Sequence, residues 1–493
     1  MQFSCNHVSF TYNGSYTPVF EDLTFRADTT WRLGLTGRNG RGKTTLLRLL
    51  SGAEQPDTGR IDLPCAPRYF PYPVTDEHLP TRQAILDAAP TVQAWQLERE
   101  CALLGLRENV LDRPYCTLSH GEQTKALLAA LFACDDAYPL IDEPTNHLDL
   151  QGRAQVAAYL KRKDGFLLVS HDRAFLNACI DHVLSLNRSD VWVMQGTYDT
   201  WEARLQQQTN HEQSQNDVLQ KEIRRMTEAA RRTAQWSEKV ESTKIGQHAY
   251  DRGAIGAQAA ALMKRTRATQ KRQERAMEEK SALLHNVERV GELKLTTLPF
   301  PKEVLLTLED AQVRYDTQVV AEHINLVLRQ GERVALTGGN GAGKSSVLKA
   351  LCGLGHALEG HVQVAAGLII SYVPQETDVL LGSMRAFIRQ SGVDETLFKA
   401  ILRNMDFTRE VFDHNLEDLS QGQRKKLLLA RSLCTPAHLY VWDEPLNYID
   451  VFSRKQLEEL ILRFSPTLLM VEHDRVFLNR VCTRQIPIGK VNA

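Results

Sequence analysis

The sequence predicts an α/β protein made of two copies of one domain, each with a mostly parallel sheet, joined by a long α-helical hairpin. Three observations carry this. First, four short motifs occur twice at nearly one offset. GRNGRGKT begins at Gly37 and GGNGAGKS at Gly338, 301 residues later. LSHGE at Leu118 and LSQGQ at Leu419 are also 301 apart, as are Asp142 of IDEP and Asp443 of WDEP, while His171 of SHD and His473 of EHD are 302 apart. Self-similarity at one spacing means a duplicated unit. Second, strand-like runs (WRLGLTG, PLIDEP, GFLLVSHD) alternate with helical ones (KTTLLRLL, QTKALLAALF). That is the rhythm of parallel sheets with crossover helices. Third, the stretch between the copies has a different composition. The expected division is 1–200 for the first domain, 201–300 for the hairpin with its tip near 243–256, and 301–493 for the second domain.

The composition supports this plan. With 493 residues of which 43% are hydrophobic, two sizeable cores are easily filled. No apolar run reaches the roughly 18 residues of a membrane helix, and the start MQFSCNHVSFTYNG lacks a basic stretch followed by an apolar one. A cytoplasmic protein is therefore expected. The nine cysteines are scattered singly, with no CxxC pair and no Cys/His cluster at metal spacing. Reduced core or surface thiols follow, rather than disulfides or a zinc site.

Between the domains no proline occurs from Thr145 to Leu298, and Pro299 and Pro301 then close the segment. From Tyr198 to Val240 the chain is rich in Gln, Glu, Lys, Arg and Ala and reads as one helix. About 40 residues at ~1.5 Å each would reach on the order of 60 Å. A second helix is expected from Ala257 to Val290. Leu219, Ile223 and Met226 recur at helical spacing, and Leu262, Met277 and Leu284 more loosely, which suits two antiparallel helices meeting along a narrow seam. The glycine-marked KIGQHAYDRGAIGAQ would be the tip. Residues 221–275 hold 14 Lys/Arg against 6 Asp/Glu, while the rest of the chain holds 45 against 54. A near-neutral protein has concentrated its positive charge in one segment. That matches a footprint for a polyanion, although a solvated helical face would carry the same charge.

The chemistry lies in the repeated motifs. Each Gly-rich segment has four residues between two glycines, then Lys and Thr or Ser, and follows a predicted strand and opens a predicted helix. In such a loop backbone N–H groups ring a phosphate at a helix N-terminus. The first loop offers Gly37, Asn39, Gly40, Gly42, Lys43, Thr44 and Thr45, and the second Gly338, Asn340, Gly341, Gly343, Lys344, Ser345 and Ser346. Lys43 and Lys344 would pair with the β- and γ-phosphates of ATP, and the hydroxyls of Thr44 and Ser345 would take Mg2+. Asp142 and Asp443 end apolar strands and suit an outer hold on that ion. Glu143 and Glu444, one residue on, are candidate bases to polarise the attacking water. His171 and His473, after apolar strands, could hydrogen-bond the γ-phosphate and hold that water.

LSHGE and LSQGQ resemble the signature of ATP-binding cassette ATPases, and the whole ordered motif set is similar to theirs over both repeats. The resemblance implies two cassettes that close head to tail within one chain, each ATP lying between the P-loop of one copy and the signature of the other. Ser119, Gly121 and Glu122 would then complete the site on Lys344, and Ser420, Gly422 and Gln423 the site on Lys43. It also implies adenine stacking by Tyr12 and Tyr315, with Phe10 and Val313 near and a core role as the alternative, and a Mg2+ contact for Gln375 of SYVPQ. The pattern departs at His120 and Gln421, where the family has glycine, and at Tyr72 of RYFPY, which stands where Gln375 does. The site on Lys43 is therefore expected to hydrolyse ATP differently from the site on Lys344.

Three classes compete for the partner. An exporter motor would expect a membrane domain, and a basic hairpin would have no role in it. Chromosome-organising ATPases place a coiled coil inside a cassette or carry zinc-binding cysteines. The third class fits best: IDEPTNHLDL, SHDRAFLNA and QGTYDTW resemble the ABC-F family, two cassettes joined by a helical hairpin. That resemblance implies ATP hydrolysis to ADP and phosphate coupled to release from the 70S ribosome, and contacts to 23S rRNA and P-site tRNA from the tRNA exit site, with no membrane subunit. AQWSEK, GAIGAQAAALMKRT, QGQRKK and WDEPLNYIDVF are most similar to the antibiotic-resistance branch of the Lsa type, with a housekeeping translation factor as the alternative. The branch implies a linker tip directed at the peptidyl-transferase centre and protection against lincosamides, pleuromutilins and streptogramin A. Candidate contacts are Arg224, Arg225, Arg231, Arg232, Trp236, Lys244, His248, Tyr250, Ile255, Lys264, Arg265 and Arg267, cations for phosphates and rings for bases.

Overall fold

A computed structural model describes the chain except residues 14–17, 135–136, 147, 188–190, 243–292, 316–317, 356, 378–379, 408–409 and 490–493. The chain forms two compact units, one of residues 1–199 with 291–493 and one of 200–290. Both α/β repeats belong to the first unit.

The first repeat runs β1 (Gln2–Phe10), β2 (Phe20–Asp28), β3 (Arg32–Gly37), α1 (Lys43–Ser51), β4 (Thr58–Asp62), β5 (Ala66–Phe70), α2 (Thr81–Ala88), α3 (Ala94–Leu103), α4 (His120–Phe132), β6 (Ala137–Asp142), α5 (Leu150–Leu160), β7 (Phe166–Val169), α6 (Arg173–Cys179), β8 (His182–Leu186) and β9 (Val191–Gln195). Strands β2-β1-β4 form an antiparallel sheet, and β5-β6-β7-β3-β8-β9 a second sheet, parallel except for β9. The central strands are continuous apolar runs because both faces are covered, and all four residues of β7 are buried. In β1 and β2 buried and exposed residues alternate instead, since one face meets solvent. Phe3, Phe10, Leu33, Leu46 and Val169 join α1 and both sheets in one core.

The second repeat follows the same order: β10 (Val304–Tyr315), β11 (Gln318–Arg329), β12 (Arg333–Thr337), then α8 (Lys344–Leu351), β13 (Ala357–Val364), β14 (Ile370–Val373), α9 (Met384–Ser391), α10 (Glu395–Asn404), α11 (Gln421–Cys434), β15 (Leu439–Asp443), α12 (Val451–Phe464), β16 (Leu468–Val471), α13 (Arg475–Val481) and β17 (Arg484–Pro487). Its sheets are β11-β10-β13, antiparallel, and β14-β15-β16-β12-β17, parallel. In both repeats the strand bearing the P-loop sits inside the parallel sheet, so its C-terminal end opens into the crevice where such sheets bind ligands.

The second unit is described over the helix α7 (Tyr198–Ser242). Thr209 and Thr227 return hydroxyl hydrogen bonds to the carbonyls of Leu205 and Ile223 one turn back. Leu205, Leu219 and Ile223 are half-buried while Arg224 and Arg225 are exposed, a narrow apolar stripe on a polar helix. The helix includes Arg231, Arg232 and Trp236. The expected hairpin tip and second helix, with Lys244, His248, Tyr250, Ile255, Lys264, Arg265 and Arg267, lie outside the described residues.

Candidate active site

Each P-loop turns through left-handed glycines into its helix. Gly42 and Gly343, at φ +83° and +80°, cap α1 and α8. A Cβ on Gly42 would lie 2.6 Å from Phe20, and one on Gly343 2.8 Å from the Val320 carbonyl, so both conformation and space require glycine. Gly37, Gly40, Gly338 and Gly341 also have positive φ. Lys43 is buried with Nζ donating to the carbonyls of Gly37 (2.8 Å) and Arg38 (3.2 Å) and to Asn39 Oδ1 (3.3 Å). Lys344 likewise donates to Gly338 and Gly339 at 2.9 Å. Burial pulls the Lys43 ammonium below the usual lysine range, against the stabilising charges of Asp450, Glu143 and Asp142.

The hydroxyls after the lysines meet the strand-end acids. Thr44 Oγ1 donates to Asp142 Oδ2 at 3.0 Å, and Ser345 Oγ to Asp443 Oδ1 at 3.0 Å. Ser345 also lies 3.4 Å from Gln375 Oε1. The first repeat differs here. Tyr72 turns away and donates to the Leu127 carbonyl at 3.2 Å, while Tyr69, which sequence reasoning missed, donates to Asp142 at 2.9 Å. Burial raises Asp142, and raises Asp443 to about 6 with Glu444 adding to the effect.

Glu143 and Glu444 follow at φ +49° and +45°. The left-handed region costs a non-glycine residue roughly 1 kcal/mol, and strain of this kind collects at functional sites. Each carboxylate faces the histidine of its own repeat: Glu143 is 3.4 Å from His171 Nε2, and Glu444 is 3.6 Å from His473 Nε2. Burial, then Asp142, pushes Glu143 up to about 8. Burial would raise Glu444 too, but His473, Lys425 and Asn447 outweigh it and hold this carboxyl below the usual range. Burial, followed by Lys43 and Arg454, drives His171 well down, so it is neutral.

The second signature sits at the first P-loop. A Cβ on Gly422 would be 3.4 Å from Asn39 Nδ2, and Asn39 donates to the Tyr448 carbonyl at 3.1 Å. Arg38 donates to Asp406 at 2.6 Å and lies over the Phe452 ring at 5.1 Å. Arg173 pairs with buried Glu458, which Arg480 also reaches at 2.9 Å. Arg38 and Arg173 lie within the quoted motifs, but their pairings with Asp406 and Glu458, which belong to none, were not legible. Ser119 and Ser420 cap α4 and α11, each within a capping box whose other members are Glu122 and Gln423. Gly121 lies in the first turn of α4. Tyr12 is half-buried, its hydroxyl 3.0 Å from Thr45 Oγ1 and its ring edge-on to Phe10, whereas Tyr315 is 55% exposed. Ser346 follows in the first turn of α8, and Asn340 lies in the loop before it.

These residues fit a magnesium–nucleotide. Glu143 Oε1, Asp443 Oδ2 and His473 Nε2 are buried without a hydrogen-bond partner, each a cost of about 1–3 kcal/mol that a phosphate, ion or water would relieve. Among the described residues no group of three or more His, Cys, Asp or Glu could hold a metal. Mg2+ would therefore take one hydroxyl and a carboxylate's outer hold here, with phosphates and water supplying the rest.

Comparison with known proteins agrees. The ABC transporter family model matches residues 20–146 and again 321–447. The chain is 30% identical over 483 residues to the ATP-binding protein Uup of Caulobacter vibrioides, covering 96% of this chain and 75% of that one. It is 29% identical over 467 residues to the ribosome protection protein VmlR of Bacillus subtilis (93% and 81% covered). It is 26% identical over 543 residues to ABC transporter F family member 2 of Arabidopsis thaliana (98% and 76% covered). Its fold is similar to that of an archaeal ribosome recycling factor, aABCE1, solved with a ribosomal stalk protein, at a TM-score of 0.63 and 19% identity over 98% of this chain and 88% of that one. Among the described residues no helix is long and apolar enough to cross a membrane. With two matched cassettes, each carrying a phosphate loop, a strand-end acid and a following glutamate, the chain belongs to the ABC transporter family as a tandem-cassette ATPase whose relatives are ABC-F proteins.

Proposed function

We propose that this ATPase works on the 70S ribosome: with ATP bound it enters the tRNA exit site, its hairpin reaches toward the peptidyl-transferase centre beside P-site tRNA and 23S rRNA, and it protects the ribosome from lincosamides, pleuromutilins and streptogramin A, as the Lsa-type branch does. The domains divide near residues 200 and 300. What carries the reading is a match to a protein named for ribosome protection along 93% of this chain, including the helix α7. The exposed Arg224 and Arg225 on that helix add the charge an RNA surface selects.

In this reading Lys43 and Lys344 hold the β- and γ-phosphates. Thr44 and Ser345 take Mg2+, with Gln375 added at the second site alone. Bound Mg2+ neutralises charge on the phosphates. Glu143 and Glu444 orient and polarise the attacking water, and the histidines beside them keep that water in line. Ser420 and Gly422 cover the ATP on Lys43, and Ser119 and Gly121 the ATP on Lys344. Because each γ-phosphate contacts both cassettes, ATP favours the closed pair and hydrolysis opens it. The protein acts in the cytoplasm, without a membrane subunit.

The Glu143→Gln/Glu444→Gln double variant tests this. It should hydrolyse ATP roughly 100- to 10,000-fold more slowly and co-sediment with 70S ribosomes in ATP. A variant that closes on ATP yet stays free of ribosomes contradicts the proposal. A housekeeping translation factor is the second reading, favoured by similarity along 96% of this chain to a relative not named for protection, Uup. Drug susceptibility separates the two.

A further inference from the structure

Lys425 is a lysine that exposes none of its surface. It belongs to the basic run Arg424-Lys425-Lys426 behind the second signature, and its three ammonium protons reach three main-chain carbonyls: Pro374 at 2.8 Å, Asp443 at 2.9 Å and Gln375 at 3.4 Å. Those carbonyls belong to two chain segments. One leaves β14 and carries Gln375; the other ends β15 and carries Asp443. Both side chains converge on Ser345 Oγ, at 3.4 and 3.0 Å.

The two segments need a tie at that point. The parallel ladder between β14 and β15 ends at the pair Val373 and Trp442. The next residue, Pro374, has no N–H and cannot continue it. The Lys425 ammonium, with three donors and no acceptor, joins the two strands one step beyond the last pair. The first repeat is built differently. Its ladder also ends before a proline, at Phe70 and Ile141. The residue matching Lys425 at the 301-residue offset is Thr124, whose hydroxyl donates to the His120 carbonyl within its own helix at 2.9 Å. There Tyr72 faces Leu127 instead of Thr44.

We propose that Lys425 is a positioning residue for the metal edge of the second ATP site: it fixes the separation of Gln375 and Asp443 around Ser345, a main-chain tie that Thr124 does not supply at the first site. The proposal rests on the reading that Ser345, Gln375 and Asp443 hold Mg2+ with ATP. Two sites with one fold then differ in metal affinity, and the second is the tighter.

The experiment titrates the full-length protein with Mn2+ in the presence of ATP, followed by electron paramagnetic resonance, and measures ATP affinity separately in EDTA. Lys425→Met keeps the apolar stem and removes the donors. It should weaken Mn2+ at one of the two sites by about tenfold, the usual effect of losing a residue that orients metal ligands, and leave ATP affinity in EDTA unchanged. Lys425→Gln, a milder change, serves if the methionine variant does not fold, and the same one-site loss is expected. Gln375→Ala is the control on the reading itself. If Gln375→Ala weakens one site and the Lys425 variants weaken neither, the brace is wrong. A Lys425 variant that lowers ATP affinity in EDTA as much as it lowers Mn2+ affinity also overturns it, since that pattern is general loosening. If Gln375→Ala weakens neither site, the metal assignment fails first.

Discussion

Glu100 shows how one buried charge anchors the first cassette. It is 1% exposed and accepts from Lys163 Nζ and Tyr159 Oη, each at 2.6 Å, with Arg99 beside it at 2.9 Å. Burial alone would raise this carboxyl, but the lysine, tyrosine and arginine outweigh it and hold it below the usual glutamate range. A depressed folded pKa gives stability that is present above the unfolded pKa and is lost as pH falls through the folded one. Stability from Glu100 is thus intact at neutral pH and fades below the ordinary glutamate range. Glu100→Gln should cost about 3 kcal/mol at pH 7 and flatten the acid limb of the stability curve in denaturant titrations. A variant as stable as the parent at pH 7 contradicts this. At the same scale, Lys43, Thr44, Asp142 and Glu143 are legible in the sequence because a motif fixes both residue type and spacing. Tyr69 and Lys425 are not. A tyrosine on a short strand, or a lysine in the run RKK, reads the same whether it points inward or out. RKK has the look of a solvated face, yet Lys425 and Lys426 are both buried.

At the scale of elements, the cassettes are joined by side-chain pairs that no motif declares. Arg173, at the start of α6, and Arg480, in α13, both grip Glu458 of α12, which is fully buried. Removing Glu458 takes the carboxylate away from buried Arg173, and breaking a buried ion pair is strongly destabilising. Glu458→Ala should therefore cost about 3 kcal/mol, mostly in association of the cassettes, so that calorimetry resolves two unfolding transitions in place of one. A single unshifted transition contradicts this. Pairings of this kind escape sequence reading because Arg173 and Glu458 lie 285 residues apart and only the closed arrangement brings them together. The α7 helix, by contrast, is legible from proline-free length and composition, since a polar helix with one narrow apolar stripe needs no distant partner to declare its period. Arg224 and Arg225 stand exposed on it. Reversing both to Glu should leave basal ATPase activity unchanged and weaken ribosome binding, with a smaller loss of affinity per decade of salt because fewer counterions are released. An unchanged salt slope in co-sedimentation contradicts the RNA contact.

On the scale of the whole molecule, two cassettes in one chain would, in the head-to-tail arrangement proposed above, put both halves of each nucleotide site under one folding event and make closure intramolecular. Duplication is the most legible feature of this sequence: four motif pairs at offsets of 301 and 302 residues fix the architecture before any element is drawn. Divergence between the copies is less legible. Tyr72 for Gln375 is visible in the aligned motifs, but where the tyrosine hydroxyl goes, and what braces the other site, depends on packing between strands and α4 or α11. In the function proposed above, ATP-driven closure serves ribosome protection. It is tested most directly by expressing the chain in a susceptible bacterium and measuring inhibitory concentrations across ribosome-targeting drugs, beside the Glu143→Gln/Glu444→Gln variant. Inhibitory concentrations for lincosamides, pleuromutilins and streptogramin A should be higher with the parent chain, those for drugs that bind away from the peptidyl-transferase centre should be unchanged, and the variant should give no protection. Unchanged susceptibility to all three classes, in cells whose ribosomes carry the protein, would contradict it and leave the housekeeping reading.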